Sequence, residues 1–203
     1  PATDAWFPNA PGLGTEWFTG ALRGYPYTLK ALVLWSCNPI YGIPGIRPLI
    51  EKGLADPKQL PLIIAVDPLI NESNAFADYI VPDSIMYESW GFPAPWAGIP
   101  TQATTARWPV VEPKAEQTAD GVRIGMETFY IALAKAMGLP GFGAEAIADM
   151  EGKRYPLERA EDWYLCGAAN VAFAGKAAVG DASDEDMSLT GVDRIRGLME
   201  STL

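Results

Sequence analysis

The sequence predicts an α/β fold, with a parallel β-sheet and helices on both faces in a three-layer, Rossmann-like arrangement. Two continuous apolar runs, at residues 31–36 and 60–66, are typical of strands that are covered on both faces. Between them, residues 46–54 carry apolar side chains at helical spacing, which indicates a short amphipathic helix. Strand, helix and strand in this order form a βαβ unit, which requires the two strands to be parallel.

A second crossover follows the second predicted strand. A helical stretch at residues 73–77 leads to a short third strand at residues 79–81, and Pro82 ends it because proline has no N–H for the ladder. Later in the chain the pattern predicts one edge strand and two helices, at residues 107–111, 126–137 and 157–173. The predicted apolar face of the first of these helices consists of Met126, Phe129, Tyr130, Leu133 and Met137.

We divide the chain into three regions. Residues 1–30, rich in proline and glycine, are predicted to be irregular, residues 31–140 form the α/β region, and residues 141–203 form a helical extension. The chain does not begin with Met, and we interpret it as part of a larger multidomain subunit. We expect the first region to expose aromatic side chains and to promote self-association, at Trp6, Phe7, Trp17 and Phe18.

Composition and charge exclude several classes of function. The net charge of −10 argues against sequence-independent binding of nucleic acid, which requires a basic surface. Nothing approaches the roughly 20 apolar residues of a membrane span, so direct membrane insertion is not expected. The absence of histidine excludes His-based triads and H-E-x-x-H zinc sites. Cys37 and Cys166 match no disulfide framework or C-x-x-C unit, and we interpret both as small buried residues.

Polar side chains follow the two central predicted strands at the point where each strand ends. Asn38 lies in Ser-Cys-Asn-Pro after the first strand, and Asp67 lies in Val-Asp-Pro at the end of the second. Ligands of open α/β sheets bind in the crevice outside the carboxyl ends of the strands. Taken singly, Asn-Pro is equally an ordinary turn and Asp67 is more typical of a cap or turn. Together, the two residues predict a binding site.

Three motifs in this order resemble the molybdopterin oxidoreductases of the dimethyl sulfoxide reductase superfamily. They are strand-x-Asn-Pro, strand-x-Asp-Pro and Ala-Asp-x-x-x-Pro, the last at residues 77–82 and followed by Glu88. The match covers residues 27–140. Details such as "GYPYTLKAL" and "DWYLCGAANVAF" are most similar to catalytic subunits of the tetrathionate reductase type, with arsenate and polysulfide or thiosulfate reductases as close alternatives.

The resemblance implies a cofactor and a set of contacts to it. The cofactor is molybdenum bis(molybdopterin guanine dinucleotide), and the chain resembles the later half of one of the two α/β domains that bind its dinucleotide tails. The positions that match cofactor contacts in the family are Asn38, Val66, Asp67, Ser89 and Glu127. Asp67 or Glu127 would accept the two adjacent N–H groups of guanine, although Glu127 is equally typical of a solvated helix residue. Ser89 stands where periplasmic nitrate reductases have lysine.

Other residues of the motifs are predicted to be structural. Asp78 would satisfy loop N–H groups at the entry to a strand, and Pro82 would end that strand. We predict no catalytic residue and no metal ligand in this chain.

The resemblance also implies components that lie outside these residues. A 4Fe-4S cluster is expected in the parent enzyme but not here, since the cluster needs four cysteines and the chain has two. The chain alone is therefore expected to be inactive. The parent enzyme is expected to reduce tetrathionate or a related sulfur oxyanion in the periplasm or cell envelope, together with two partners, a membrane anchor subunit and an iron-sulfur electron-transfer subunit. The alternative is a stand-alone nucleotide-binding α/β module without redox activity.

Overall fold

The computed structural model describes residues 14–92, 107–148 and 152–175 of the 203-residue chain. The chain divides into two compact units, at residues 1–83 and 84–203. The division falls inside the range 31–140 that we predicted as one α/β region. In the parts of the chain that are described, no helix has both the length and the apolar character needed to cross a membrane.

A three-stranded parallel sheet forms the centre of the first unit. In spatial order its strands are β1 (Leu32–Trp35), β2 (Ile63–Asp67) and β3 (Tyr79–Pro82). Trp35 is paired with Val66, and Val66 is paired with Val81, so the three strands reach the same edge together. The predicted α/β class and the parallel pairing of the apolar runs are confirmed.

Helices pack beside this sheet in the first unit. They are α1 (Gly14–Leu22), the one-turn α2 (Pro39–Gly42) and α3 (Arg47–Leu54), with a 3₁₀ turn at Asn74–Phe76. The prediction of irregular structure was wrong for residues 14–22, which form α1. Packing stabilises this helix, because Phe18 is almost completely buried and Leu22 packs against the same core. Phe18 therefore contributes no exposed surface, whereas Trp17 is exposed. The predicted exposure of Trp6 and Phe7 falls outside the described residues.

The core of the first unit lies on one face of the sheet. Its buried members are Phe18, Leu32, Leu34, Ile40, Ile50, Leu54, Leu60 and Ile63. Alternate residues of β1 contribute to it because successive side chains of a strand point to opposite faces. Gly53 allows α3 to lie close to α1, since a Cβ atom at this position would overlap the side chain of Leu22.

Asp78 connects the start of β3 to the start of β2. Its Oδ2 accepts a hydrogen bond from the backbone N–H of Ile63 at 2.8 Å, and its own N–H donates to the Ile63 carbonyl at 2.8 Å. The structural role predicted for Asp78 is confirmed. This reciprocal pair aligns the two strands, and with them the positions at which the strands end.

The second unit combines helices with an antiparallel hairpin. Its elements are a 3₁₀ turn at Met86–Glu88, α4 (Met126–Ala136), β4 (Gly143–Ala148), β5 (Arg154–Leu157) and α5 (Ala160–Gly175). The helical extension predicted for residues 141–203 therefore begins with a β-hairpin. Glycine, alanine and proline have low strand propensity, and they conceal the hairpin in the sequence. The predicted edge strand at residues 107–111 is reduced to one bridge between Arg107 and Gly91.

Helix α4 has the predicted extent but a different buried face. Gly138 follows it with φ of 68°, and its N–H donates to Lys135, as expected of a glycine that ends a helix. Ile131 and Ala134 are buried, whereas the predicted apolar face is largely exposed at Tyr130, Leu133 and Met137. The helix has apolar residues on more than one side, so periodicity alone does not decide which side packs.

Candidate functional site

The chain leaves β1 through a turn in a left-handed conformation. Ser36 has φ of 44°, a region that residues other than glycine adopt rarely. Its N–H donates to the carbonyl of Val66 at 3.0 Å and so extends the ladder past the end of β1. Asn38 therefore follows the strand at the carboxyl edge of the sheet, where the sequence predicted a crevice.

Asn38 is the N-terminal cap of α2. Its Oδ1 accepts from the N–H of Tyr41 at 3.4 Å and from the hydroxyl of Ser73 at 2.7 Å. Its Nδ2 donates to a carboxylate oxygen of Glu72. Pro39 suits the first helical position because that N–H would have no partner within the helix.

Ser73 connects the turn after β1 to the loop after β2. Its side chain is fully buried, and its hydroxyl donates to Asn38 while accepting from the N–H of Ile40 at 2.9 Å. Its own N–H donates to Oδ1 of Asn71 at 2.9 Å. The hydroxyl is thus held from two sides, and it links the two turns by hydrogen bonds.

Asp67 is the last residue of β2 and is half-buried. Its Oδ1 accepts from the N–H of Leu69 at 2.9 Å, and its Oδ2 accepts from Nδ2 of Asn71 at 3.2 Å. A carboxylate offers about four acceptor positions, so these two bonds leave acceptor capacity for a ligand. Asn71 also binds Ser73, which completes a continuous set of hydrogen bonds that we call the edge network: Asn38, Ser73, Asn71 and Asp67.

The edge network links the two residues that the sequence placed at the ends of neighbouring strands. Asn38 and Asp67 do not touch, but they occupy the ends of neighbouring strands and are joined through Ser73 and Asn71. An amide and an acid are therefore held together at the carboxyl edge of β1 and β2. Sequence reasoning missed Ser73 and Asn71, although both lie in the Asn-Glu-Ser-Asn stretch directly after β2.

The two cysteines have different surroundings. Cys166 is buried as predicted, but Cys37 is exposed, because it lies in the turn that leaves the sheet rather than in β1. Partial desolvation and, second, the negative charge of Asp67 raise the pKa of the Cys37 thiol, and a backbone hydrogen bond at Trp35 partly offsets them. The charge of Asp67 thus affects the pKa of a group in the turn after β1.

The carboxylate of Glu72 is fully exposed at the margin of the edge network. Its own backbone N–H and, second, the amide of Asn38 hold the pKa of Glu72 below its ordinary value of 4.5. The charge of Arg47 acts in the same direction. The carboxylate of Glu72 thus accepts a hydrogen bond that orients the Asn38 amide.

Val66 is placed differently from the other predicted contacts. Its side chain is completely buried in the first unit. Its carbonyl accepts the N–H of Ser36. Only the backbone of Val66 is positioned near the edge of the sheet.

Ser89, in the second unit, is bound by an arginine that sequence reasoning did not single out. Nε of Arg107 donates to the Ser89 carbonyl at 3.2 Å, and Nη2 donates to the Ser89 hydroxyl at 3.1 Å. A signal in the sequence could have identified it, because Arg107 is the only charged residue between Glu88 and Glu112. The side chain of Ser89 is therefore in direct contact with a positively charged group.

Glu127 lies in the first turn of α4 and joins it to α5. Its Oε1 accepts from the hydroxyl of Tyr164 at 2.6 Å, and Tyr164 is 8% exposed. The ring of Tyr164 also packs edge-on against Phe92 with centroids 4.8 Å apart. Glu127 therefore has a structural partner, and it is not simply solvated.

Metal ligation finds no support in the described part of the chain. Among residues 14–92, 107–148 and 152–175, no three or more histidine, cysteine or acidic side chains cluster in a way that could hold a metal ion.

Comparison with curated proteins identifies relatives along nearly the whole chain. The chain is 55% identical over 203 residues, all of its length, to a tetrathionate reductase subunit of Salmonella typhimurium. It is 34% identical over 194 residues, 93% of the chain, to a selenate reductase subunit of Mesobacillus selenatarsenatis. It is 31% identical over 189 residues, 87% of the chain, to the corresponding tetrathionate reductase subunit of Archaeoglobus fulgidus.

The chain belongs to the molybdopterin oxidoreductase family. The resemblance carried by the Asn-Pro, Asp-Pro and Ala-Asp-x-x-x-Pro motifs is thereby confirmed. This member spans about a fifth of the length of the curated relatives it matches, namely 20%, 18% and 17% of them. No family model and no solved structure matches it significantly.

Proposed function

We propose that this chain is part of the catalytic subunit of a molybdenum oxidoreductase and binds a guanine nucleotide tail of molybdenum bis(molybdopterin guanine dinucleotide). The observation that carries the proposal is the edge network, which holds Asn38 and Asp67 together at the carboxyl edge of a parallel sheet. Membership in a family of reductase subunits supports it.

The donors and acceptors of the edge network fit guanine. The base presents an N–H and an amino group side by side, and the carboxylate of Asp67 retains acceptor capacity for both. Each charge-assisted bond of this kind contributes roughly 1.5 to 3 kcal/mol. Leu69 and Asn71 already hold the carboxylate in place, so little further ordering is needed when the base binds.

We expect the remaining predicted contacts to contribute to cofactor binding in different ways. Ser89 acts together with Arg107, and Val66 acts only through its backbone. Glu127 already accepts a hydrogen bond from Tyr164, so we expect it to contribute less to cofactor binding than Asp67. In the complete protein we expect the parallel sheet of the first unit to belong to a three-layer, Rossmann-like domain.

The proposal for the whole enzyme rests on the relatives. They are named tetrathionate and selenate reductases, and we propose that the enzyme containing this chain reduces tetrathionate or a related oxyanion. The bound cofactor would supply the redox chemistry, and this chain would bind and orient its nucleotide tail. A 4Fe-4S cluster, an iron-sulfur subunit, a membrane anchor subunit and a periplasmic or envelope location belong to the same proposal.

The test compares two matched aspartates in the intact subunit. Asp56 makes the same kind of turn as Asp67, since its Oδ1 accepts the N–H of Lys58 at 2.9 Å, but it precedes β2. We expect Asp67→Asn to lower the bound molybdenum and guanine nucleotide about tenfold per subunit, and Asp56→Asn to leave both unchanged. Equal contents in the two variants would exclude Asp67 from the site. Bound nucleotide without molybdenum in the unaltered subunit would favour the stand-alone module.

A further inference from the structure

One face of the parallel sheet in the first unit is apolar and has no covering helix among the described residues of that unit. Leu32, Leu34 and Ile63 belong to the core on the other face. Because successive side chains of a strand point to opposite faces, the residues between them point away from the core. The strand register extends this surface to β3, and we call it the second face: Val33, Trp35, Ile64, Val66, Tyr79 and Val81.

Most of the second face is accessible to solvent. Tyr79 is 66% exposed and Trp35 is 51% exposed, and three aliphatic members are only partly buried, namely Val33, Ile64 and Val81. None of the six side chains carries a charge. Soluble proteins rarely expose a contiguous apolar patch that has no partner.

The side chain of Trp35 is already held in place on this face. Its Nε1 donates to Oδ2 of Asp83 at 3.1 Å, and Asp83 follows β3, on the far side of β2 from Trp35. The indole therefore extends across the end of β2, where Val66 is completely buried. A ring that is ordered beforehand lowers the entropic cost of docking against it.

The connections within the sheet do not cover the second face. The chain steps from β1 to β2 to β3 in one direction across the sheet. Since crossovers between parallel strands are right-handed, two steps in one direction place both crossovers on the same face. The helices agree with this rule, because Phe18 of α1, Ile40 of α2 and Ile50 of α3 all lie in the core. A helix on the second face must therefore come from another part of the polypeptide.

We propose that a helix of the same polypeptide, from outside the 203 residues of this chain, packs on the second face. Parallel sheets are covered on both faces almost without exception, and helices provide the cover. Relatives have the length for such a helix, since this chain spans only 20%, 18% and 17% of them. The helix needs an apolar stripe that contacts Ile64 and the ring of Tyr79. The inference goes beyond the proposed function and does not depend on the cofactor.

The first test measures oxidation of side chains by hydroxyl radicals in the intact, unaltered subunit. We expect Trp35 and Tyr79 to be oxidised about tenfold more slowly than in the urea-unfolded subunit. Phe18, which is buried within the first unit, is the reference for full protection. Protection of only about twofold, which exposures of 51% and 66% already allow, would overturn the proposal. Protection that disappears on dilution would also overturn it, because the partner would then be a second copy.

The second test identifies the partner by photo-crosslinking in the intact subunit. The photoreactive amino acid p-benzoylphenylalanine replaces Tyr79, and the matched control carries it in place of Tyr41, which is 81% exposed on α2. We expect the probe at position 79 to cross-link to one helical segment of the same polypeptide outside this chain. The probe at position 41 should not reach that segment, because α2 packs on the opposite face of the sheet.

The results that would overturn the proposal are equally specific. They are cross-links from position 79 to residues of this chain, to a second copy or to a different protein. The same target from both positions, or no cross-link from position 79, would overturn it as well.

Discussion

Oδ1 of Asn38 lies 2.7 Å from the hydroxyl of Ser73, although the two residues are 35 positions apart in the sequence. This hydrogen bond joins the turn after β1 to the loop after β2. Through it, the cap of a one-turn helix and the acid that ends the next strand belong to one hydrogen-bond network. The hydrogen bond thus connects two loops at the edge where we propose that the nucleotide binds.

Ser73→Ala should loosen the start of α2. The N–H of Ile40 donates to the Ser73 hydroxyl, and Ile40 is only 3% exposed, so the substitution leaves a buried donor without an acceptor. We expect local opening to become easier by about 1 to 3 kcal/mol. Faster hydrogen exchange of the Ile40 amide would show it, with the Asp78 amide in the strand pairing as an internal reference. Unchanged exchange at Ile40 would mean that the Ser73 hydroxyl does not hold this turn.

Asp67→Asn should make Cys37 easier to ionise. The charge of Asp67 contributes to the raised pKa of the Cys37 thiol, so its removal lowers that pKa, although desolvation remains. We expect alkylation of Cys37 by iodoacetamide to be faster in the variant at pH 8, with its pH profile shifted to lower pH. Cys166 is buried and serves as the unreactive reference. The same profile in Asp67→Asn and Asp56→Asn would contradict the electrostatic coupling.

Asn38→Ala should shift the titration of Glu72. The amide of Asn38 is the second cause of the lowered pKa of Glu72, so its loss moves that pKa upward toward 4.5 without reaching it. Because the folded pKa is depressed, the stabilisation from Glu72 is present above 4.5 and is lost as the pH falls through the folded pKa. The variant should keep a smaller contribution of Glu72 to the acid dependence, because the backbone hydrogen bond remains. Carboxyl chemical shifts recorded against pH measure it.

Asp120 provides the control for this titration. Its pKa is lowered by the hydroxyl of Thr118, in the second unit, and should not respond to residue 38. If Glu72 titrates identically in the unaltered chain and in Asn38→Ala, the Asn38 amide does not bind Glu72 in solution.

Tyr164→Phe should weaken the connection between α4 and α5. The hydroxyl of Tyr164 donates to Glu127, and loss of one such bond costs about 0.5 to 1.5 kcal/mol, or more if Glu127 is left without a partner. Glu127→Gln retains an acceptor oxygen and should cost less. A double-mutant cycle on thermal unfolding should give a coupling of at least about 0.5 kcal/mol. If the two substitutions have additive effects on the free energy of unfolding, Glu127 behaves as a solvated helix residue.

The elements that depend on local pattern could be predicted from the sequence alone. The runs around Leu34 and Ile64 predicted buried parallel strands, and Gly138 predicted the end of α4. Asn38 and Asp67 were identified as a pair because parallel strands in sequence must end at one edge of their sheet. These predictions hold because hydrophobic periodicity and glycine or proline chemistry act over only a few residues.

The predictions that failed depended on which elements of the fold pack against each other. Glycine, alanine and proline conceal the β4–β5 hairpin, helix α1 lies in a region rich in proline and glycine, and α4 buries Ile131 rather than Leu133. Propensity and period rank such choices by a few tenths of a kcal/mol per residue. Burial against a neighbouring element contributes more than that, and only the assembled chain specifies the neighbour.

The sequence by itself determined the fold class, the family and the two residues at the carboxyl edge of β1 and β2. The tertiary structure alone decided which side chains connect them, through Ser73 and Asn71, and which cation approaches Ser89. These connections are hydrogen bonds between residues that are distant in the chain. Ser89 and Arg107, for example, lie 18 positions apart. Their formation depends on where the loops are brought together, because a hydrogen bond requires its atoms to lie within about 3 Å of each other.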